Sequence, residues 1–242
     1  MEWMAGVTIQ LKPFVRQLWA AIYADGANKH QVYEQQVHVA LTWITALLQN
    51  RSRLMATRWL RPPSIQAAIV CDASPTGGGA AIYFLPANLS ITLETLAKIT
   101  PMAWAARRWT AQDELAAGGW IGDPGSQARW EAYAAISTFM LWKKPLFAAK
   151  GPITVVGDAL GVLFGTTALH SKDVQINRLF MELALILAPT GRSVEAIHVW
   201  SEDNALADEL SRLPHEFAKP PRELEGIQRT AWPDNLPWQI AL

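Results

Sequence analysis

The chain of 242 residues contains one cysteine, Cys71. A single cysteine excludes an intrachain disulfide and a cysteine-based zinc site. The expected setting is therefore a reducing, intracellular compartment. Net charge is also missing: 21 Lys and Arg balance 21 Asp and Glu. A protein that binds nucleic acid unaided is usually basic, so any such role here must draw on a local patch, a metal site or the rest of a larger protein. No apolar run approaches the ~18–20 residues needed to cross a bilayer. The N-terminus, MEWMAGVTIQL, lacks the basic region and small-residue cleavage site of a secretory leader. The glycine triplet at 77–79 does not follow the G-x-G-x-x-G pattern, and no G-K-[ST] occurs. Dinucleotide-fold and P-loop readings are excluded with them.

What the chain does have is apolar content. Half of its residues are hydrophobic, enough for one good core or a core with a small satellite. Its 12 Trp are expected mainly as core or interface anchors. Phe14, Leu18 and Ile22 recur at helical spacing, as do Val37, Leu41, Ile44 and Leu48, so two helices are predicted before residue 50. A basic stretch, RSRLMATRWLRPP, carries Arg51, Arg53, Arg58 and Arg61 and ends on Pro62-Pro63, which marks a boundary. IQAAIVCDAS and AAIYFLP then read as strands with SPTGGG as the turn between them. Residues 102–111 fit a strand or a short helix. QARWEAYAAISTFMLW reads as a helix closed by Lys143-Lys144-Pro145, and GPITVVGD as a β-branched strand. ALGVLFGTTAL and VQINRLFMELALILA read as helices, the second capped by Asp173 and stopped by Pro189. SVEAIHVW is the last strand and DNALADELSRL the last helix. An opening hairpin followed by strand–helix alternation predicts an α/β fold with a mixed sheet covered by helices.

Four acids fall at informative places. Asp72 ends the first strand, and Asp158 follows the ITVVG strand. Glu131 lies near the start of a helix. Asp208 lies four residues after Asn204 on one helix face. If the first and fourth strands are parallel neighbours, Asp72 and Asp158 share a crevice at their carboxyl ends, and helices can bring in Glu131 and Asp208. Each acid also has a plainer reading: an Asx-turn for Asp72, a favourable helix N-terminal charge for Glu131, a helix cap for Asp158 and a surface helix charge for Asp208. Converging carboxylates repel by ~4 kcal/mol per pair at ~4 Å and an effective dielectric of 20. One pKa then rises, or a cation binds. All-oxygen sites suit Mg²⁺ or Mn²⁺, and two such ions are the machinery of phosphodiester hydrolysis.

Four blocks, CDASPTGGGAA, RWEAYAA, VVGDALGVL and NALADELSR, resemble in type and order the ribonuclease H domain of retroelement reverse transcriptases. The resemblance covers about residues 65–213. The preceding segments, AGVTIQLKPFVRQLWAAI and VALTWITALL, are similar to the thumb or connection of DIRS-like elements, and no Y-x-D-D-type polymerase box is present. The implied organisation is a helical thumb- or connection-like segment at 1–62, a ribonuclease H-like domain at 63–213 and an extended C-terminal tail at 214–242. The implied fold is a mixed five-stranded sheet flanked by helices. The implied reaction is hydrolysis of the RNA strand of an RNA–DNA hybrid with two Mg²⁺ or Mn²⁺, the polymerase portion being a partner absent here.

By the same resemblance Asp72 would bridge both ions, Asp208 would complete the water-activating site, and Glu131 and Asp158 would hold the other ion. Glu131 would also stand near the 2′-hydroxyl that marks the strand as RNA. Asn204 and Ser74 would support the site. His198 has the six-residue spacing to Asn204 of an accessory histidine, but its segment reads HVWSEDN, with Ser201 where glycine is usual and no lysine; a structural histidine is the other reading. Arg107, Arg108, Lys143 and Lys144 are the local basic pairs expected to meet phosphates, with the Arg51–Arg61 stretch. The triplet glycines are expected to supply positive φ for a tight hairpin and open space beside Asp72 for a nucleic-acid backbone. The alternative function is a catalytically inactive module of the same fold that binds nucleic acid or a protein partner. A transposase- or integrase-like strand-transfer enzyme is a third reading, set back by the number of acids and the terminal motif.

Overall fold

A computed structural model describes residues 9–22, 34–49, 64–190, 192–215 and 218–239. The Arg51–Arg61 stretch and the boundary at Pro62-Pro63 lie outside the described residues. In chain order the elements are α1 (Lys12–Ile22), α2 (Glu34–Gln49), β1 (Ile65–Ser74), β2 (Gly77–Pro86), α3 (Leu93–Ala97), β3 (Ala103–Arg108), α4 (Ala111–Ala117), α5 (Gln127–Leu141), α6 (Lys143–Ala148), β4 (Lys150–Gly157), α7 (Leu160–Ala168), α8 (Val174–Leu187), β5 (Val194–His198), α9 (Ala205–Ser211) and β6 (Gln228–Arg229). The fold is mixed α/β, with one sheet in the order β5-β4-β1-β2-β3-β6. β1, β2 and β3 form an antiparallel meander, while β4 pairs parallel to β1 and β5 parallel to β4. Five strands are therefore joined by a sixth, because the tail lays Gln228–Arg229 parallel against β3.

β1 is central and covered on both faces, which is why its sequence is almost continuously apolar rather than alternating. Ala67, Ile69, Cys71 and Ala73 face one hydrophobic cluster, and Ala68 and Val70 face the other. The first cluster is roofed by α5 and α8, the second by α9. α5 is buried nearly all round, and its alanines at 132, 134 and 135 allow close approach to its neighbours. Asp173 caps α8 as expected, accepting from the backbone N–H groups of Gln175 and Ile176. Of residues 102–111, Ala103–Arg108 form strand β3 and Ala111 opens α4. The helix expected to be closed by Lys143-Lys144-Pro145 stops at Leu141, and those three residues instead open α6.

The N-terminal helices share the main core. Phe14, Val15 and Leu18 are buried, and Asn177 Nδ2 on α8 donates to the Pro13 carbonyl at 3.1 Å. The buried face of α2 runs through Ala40, Ile44 and Leu47, while Leu41 and, on α1, Ile22 point outward. Phe14, Leu18 and Ile44 lie on the buried faces as their spacing predicts, while Ala21, Ala40 and Leu47 are buried in place of Ile22, Leu41 and Leu48. Most tryptophans take structural posts: Trp109 stacks on Trp130 at 5.0 Å and meets Trp232 of the tail edge-on at 5.8 Å. Trp120 and Trp200 are exposed. Among the described residues no helix is long and apolar enough to cross a membrane.

Candidate metal centre

The parallel pairing of β1 with β4 sets the carboxyl ends of both strands side by side. Asp72 lies two residues before the end of β1, and Asp158 immediately follows β4. Asp72 sits within the ladder opposite Gly79, so it does not open an Asx-turn. Asp158 is not the cap of α7, whose N-cap is Ala159. Glu131, in the second turn of α5, reaches the same point from the face that α5 covers. One carboxylate oxygen from each of Asp72, Glu131 and Asp158 lies within 4.8 Å of the others. Asp72 and Glu131 are buried and Asp158 is half-buried.

Each carboxylate is held by a neutral donor. Ser211 Oγ donates to Asp72 Oδ2 at 2.7 Å. Gln127 Nε2 donates to Glu131 Oε1 at 2.7 Å and to the Ala73 carbonyl at 2.5 Å. Ser201 Oγ donates to Asp158 Oδ2 at 2.5 Å. Among the described residues no Lys or Arg forms an ion pair with any of the three. Burial, with the charges of Asp158 and Asp208, pushes Asp72 up to about 6 against the lowering hydrogen bond from Ser211. Burial raises Glu131 well above the usual carboxylate range, and the neighbouring Asp72 and Asp158 add to it. The Cys71 thiol is held protonated by burial and by the same three acids.

The donor set fits a hard divalent cation. It is all oxygen, no described Lys or Arg pairs with it directly although the Arg212 charge is felt at Asp72, and Asp158 Oδ1 is buried with no hydrogen-bond partner. Bare, the three charges repel; with a cation between them, the same proximity becomes favourable. A cleft of about 560 Å³ opens beside the acids, walled by Gln127, Glu131, Asp158, Leu160 and Gly161. At Gly161 a side chain would meet nothing within 4 Å.

Asp208 stands apart from the trio. It is near enough to raise the Asp72 pKa, but its Oδ1 accepts from Arg212 Nε and Nη2, both at 2.7 Å. Asn204 is buried and its Nδ2 donates to the Cys71 carbonyl at 3.3 Å, while its Oδ1 has no partner. Ser74 Oγ donates to the Ser211 carbonyl at 2.9 Å, tying the end of β1 to α9. His198 is the exposed last residue of β5, paired in register with Gly157 and edge-on to Trp200 at 5.4 Å.

The basic pairs divide. Arg107 is not a phosphate-facing residue: it is buried, its Nε donates to Asp113 at 2.9 Å, and its Nη2 pairs with Asp234 at 3.0 Å. Its place on β3 aims it at the core, where Tyr133 Oη also donates to Asp113 at 2.6 Å. Arg108 points the other way and is exposed beside the β1–β2 turn, where its Nη1 donates to Thr76 at 2.7 Å. Lys143 and Lys144 are exposed, but beyond the far end of α5, about 18 Å along the helix axis from Glu131. They do not border the acids.

The glycine triplet also departs from expectation. Its residues are in strand β2, and none of the three has positive φ. A Cβ at Gly79 would lie 2.3 Å from Leu210 Cβ and 2.6 Å from the Ser211 nitrogen, and one at Gly78 would strike Trp109. The missing side chains admit α9 and an indole against the sheet; they leave no open space for a nucleic-acid backbone.

Gln127, Ser201, Ser211 and Arg212 were not singled out from the sequence as site residues. Ser211 and Arg212 belong to the LSR of the terminal motif, and Gln127 lies one helical turn before Glu131, so spacing offered a signal for these. Ser201 was visible only as a departure from glycine.

No family model and no curated protein matches the chain. Solved structures do. One is LC11-RNase H1, isolated from compost by a metagenomic approach and solved in complex with RNA/DNA hybrid: 17% identity, 60% of this chain and 92% of that one, TM-score 0.40. Another is the foamy viral protease-reverse transcriptase in complex with dsDNA: 14% identity, 81% of this chain and 38% of that one, TM-score 0.31.

Proposed function

We propose that the chain is a ribonuclease H: it hydrolyses the RNA strand of an RNA–DNA hybrid at the acidic centre, using two divalent ions, Mg²⁺ or Mn²⁺. The observation that carries this reading is the convergence of Asp72, Glu131 and Asp158 within 4.8 Å, oriented by neutral donors and without a cationic partner. Asp72, Glu131 and Asp158 would hold one ion. Asp72 and Asp208 would hold the other, once Asp208 exchanges Arg212 for it. The ions would supply Lewis-acid stabilisation at the scissile phosphate and a water of lowered pKa.

The protein's own groups supply the rest. Asp72, rigid within the β1 ladder, sets the position of the reacting phosphate. Glu131, at the edge of the cleft, accepts a hydrogen bond from the ribose 2′-hydroxyl and so distinguishes RNA from DNA. Water attacks phosphorus and the 3′-oxygen leaves, giving 3′-hydroxyl and 5′-phosphate ends. His198, exposed and paired in register with Gly157 beside Asp158, would serve as an accessory that helps product release. Arg108 and, farther along the duplex, Lys143 and Lys144 meet phosphates. With few exposed cations near the acids among the described residues, much of the affinity would come from elsewhere. That agrees with a place as the intracellular C-terminal part of a retroelement reverse transcriptase, residues 1–62 forming the thumb- or connection-like link and the polymerase portion supplying the remaining contacts.

The ion pair between Asp208 and Arg212 favours a second reading, an inactive module that binds hybrid or a partner without turnover. Incubation of a labelled hybrid with Mg²⁺ and with Mn²⁺ separates the two. Metal-dependent cleavage that Asp158→Asn abolishes supports the nuclease. Metal-independent binding with no cleavage at any concentration of either ion rejects it.

A further inference from the structure

The segment joining β5 to α9 closes over the acidic centre at three points. The Val199 N–H donates to the Gly157 carbonyl at 3.0 Å, next to Asp158. Ser201 Oγ donates to Asp158 Oδ2 at 2.5 Å. Asn204 Nδ2 donates to the Cys71 carbonyl at 3.3 Å, next to Asp72. A span of six residues thus clasps the ends of β4 and β1, the two strands that carry the aspartates. Of these contacts only Ser201 touches a carboxylate.

A carboxylate that follows a strand, outside the ladder, can rotate about its side-chain torsions, and nothing in β4 fixes Asp158. The Ser201 hydroxyl occupies one oxygen, Oδ2. The other, Oδ1, is then left buried and without a hydrogen-bond partner. A buried acceptor with no protein donor is unfavourable, and Oδ1 is thereby the oxygen of Asp158 that no protein group occupies. The hydroxyl is neutral and leaves the full negative charge of Asp158 available, whereas Arg212 spends that of Asp208. Ser211 treats Asp72 in the same way.

We infer that Ser201 is a positioning residue for the metal centre: its hydroxyl pins Asp158 Oδ2 and thereby presents Oδ1 to the cation. The inference rests on the metal-binding reading given above. Ser201 is exposed, so its truncation leaves the core intact and acts on the site alone.

The test is calorimetric titration of the full chain with Mn²⁺ in the absence of hybrid, on wild type, Ser201→Ala and Ser201→Thr. Loss of a hydrogen bond that orients a ligating carboxylate weakens metal binding by roughly 10–100-fold, and that is expected of Ser201→Ala. Ser201→Thr keeps the hydroxyl and restores Mn²⁺ affinity close to wild type, which a steric or loop effect would not do. Ser201→Ala binding Mn²⁺ as tightly as wild type overturns the inference while leaving the metal centre standing. So does a deficit that Ser201→Thr fails to repair. If the wild type itself takes up no Mn²⁺, the metal-binding reading falls and this inference with it.

Discussion

Asp208 and Arg212 form a two-point contact, Nε and Nη2 of the guanidinium both meeting Oδ1 at 2.7 Å, while Asp72, close by, accepts from a serine hydroxyl and feels Arg212 only at a distance. The four acids that the motifs place together are therefore not equivalent. Three make a cluster without an ion pair, and the fourth is paired with the residue that caps its own helix.

That inequality predicts different metal phenotypes. Asp158→Asn removes a member of the trio and should weaken the tightest Mn²⁺ site by about tenfold or more. Asp208→Asn should leave that site nearly unchanged, yet abolish hybrid cleavage because the second site stays incomplete. Calorimetric titration read beside a cleavage assay checks both. Equal loss of affinity in the two variants would contradict the division.

The metal-free protein should lose stability as pH rises through weak acidity. Asp72 is lifted from its ordinary 3.8 to about 6 in the folded chain, so between those values the native state holds a proton that the unfolded state has released. Stability is then greatest below about pH 4 for this group and falls until about pH 6, by on the order of 2–3 kcal/mol. Glu131, raised in the same direction, adds to the fall. Saturating Mn²⁺ should remove the decline, because the ion stabilises the ionised forms. Denaturant melts in chelator across pH 4–7, with and without Mn²⁺, give the answer; stability that rises through this window in chelator would refute the assignment.

Gly79→Ala should damage the site through α9, on the face of the sheet that Gly79 shares with its ladder partner Asp72. Its methyl would press on Leu210 and the Ser211 backbone, forcing α9 outward at a cost of about 1–3 kcal/mol for overpacking. Because α9 carries both Ser211 and Asp208, cleavage should fall more steeply than the melting temperature. Unchanged activity at normal stability would show that α9 is not held by this contact.

Arg107→Ala should unfold rather than unbind. The residue is one partner of a buried network in which Asp113 also accepts from Thr110 and Tyr133. Removing one member of a buried pair typically costs about 3–5 kcal/mol. Chemical denaturation should show that loss, while hybrid affinity of the folded fraction stays near wild type. Arg108→Ala should do the opposite.

The frame was legible in the sequence because it rests on local rules. β-branched and alanine-rich runs bounded by Pro and Gly gave the strands, and Asp173 announced α8. Strand ends and helix phase placed the three central acids on their elements but left each with a plainer reading, and it was the order of the four motif blocks that grouped them. Other features depend on what tertiary neighbours do. The triplet glycines looked like turn residues, and only the position of Leu210 shows that they admit a helix. Arg107 and Arg108 look alike as a pair, yet β alternation sends one into the core and the other outward. MAWAARRWTA was ambiguous because alternating Ala and Trp satisfy both periods, and pairing with β2 decided it. The sixth strand, two residues long, has no sequence signal at all.

The most direct measurement is an anomalous-scattering map from crystals of the full chain soaked in Mn²⁺. The predicted result is a peak coordinated by Asp72, Glu131 and Asp158 at about 2.0–2.2 Å, the distance range of small hard cations on carboxylate oxygens. Asp158 Oδ1 should be among the ligands and Ser201 should still be on Oδ2. An occupied Mn²⁺ position elsewhere, with the three carboxylates bare at saturating metal, would contradict the assignment of this cluster as the catalytic centre.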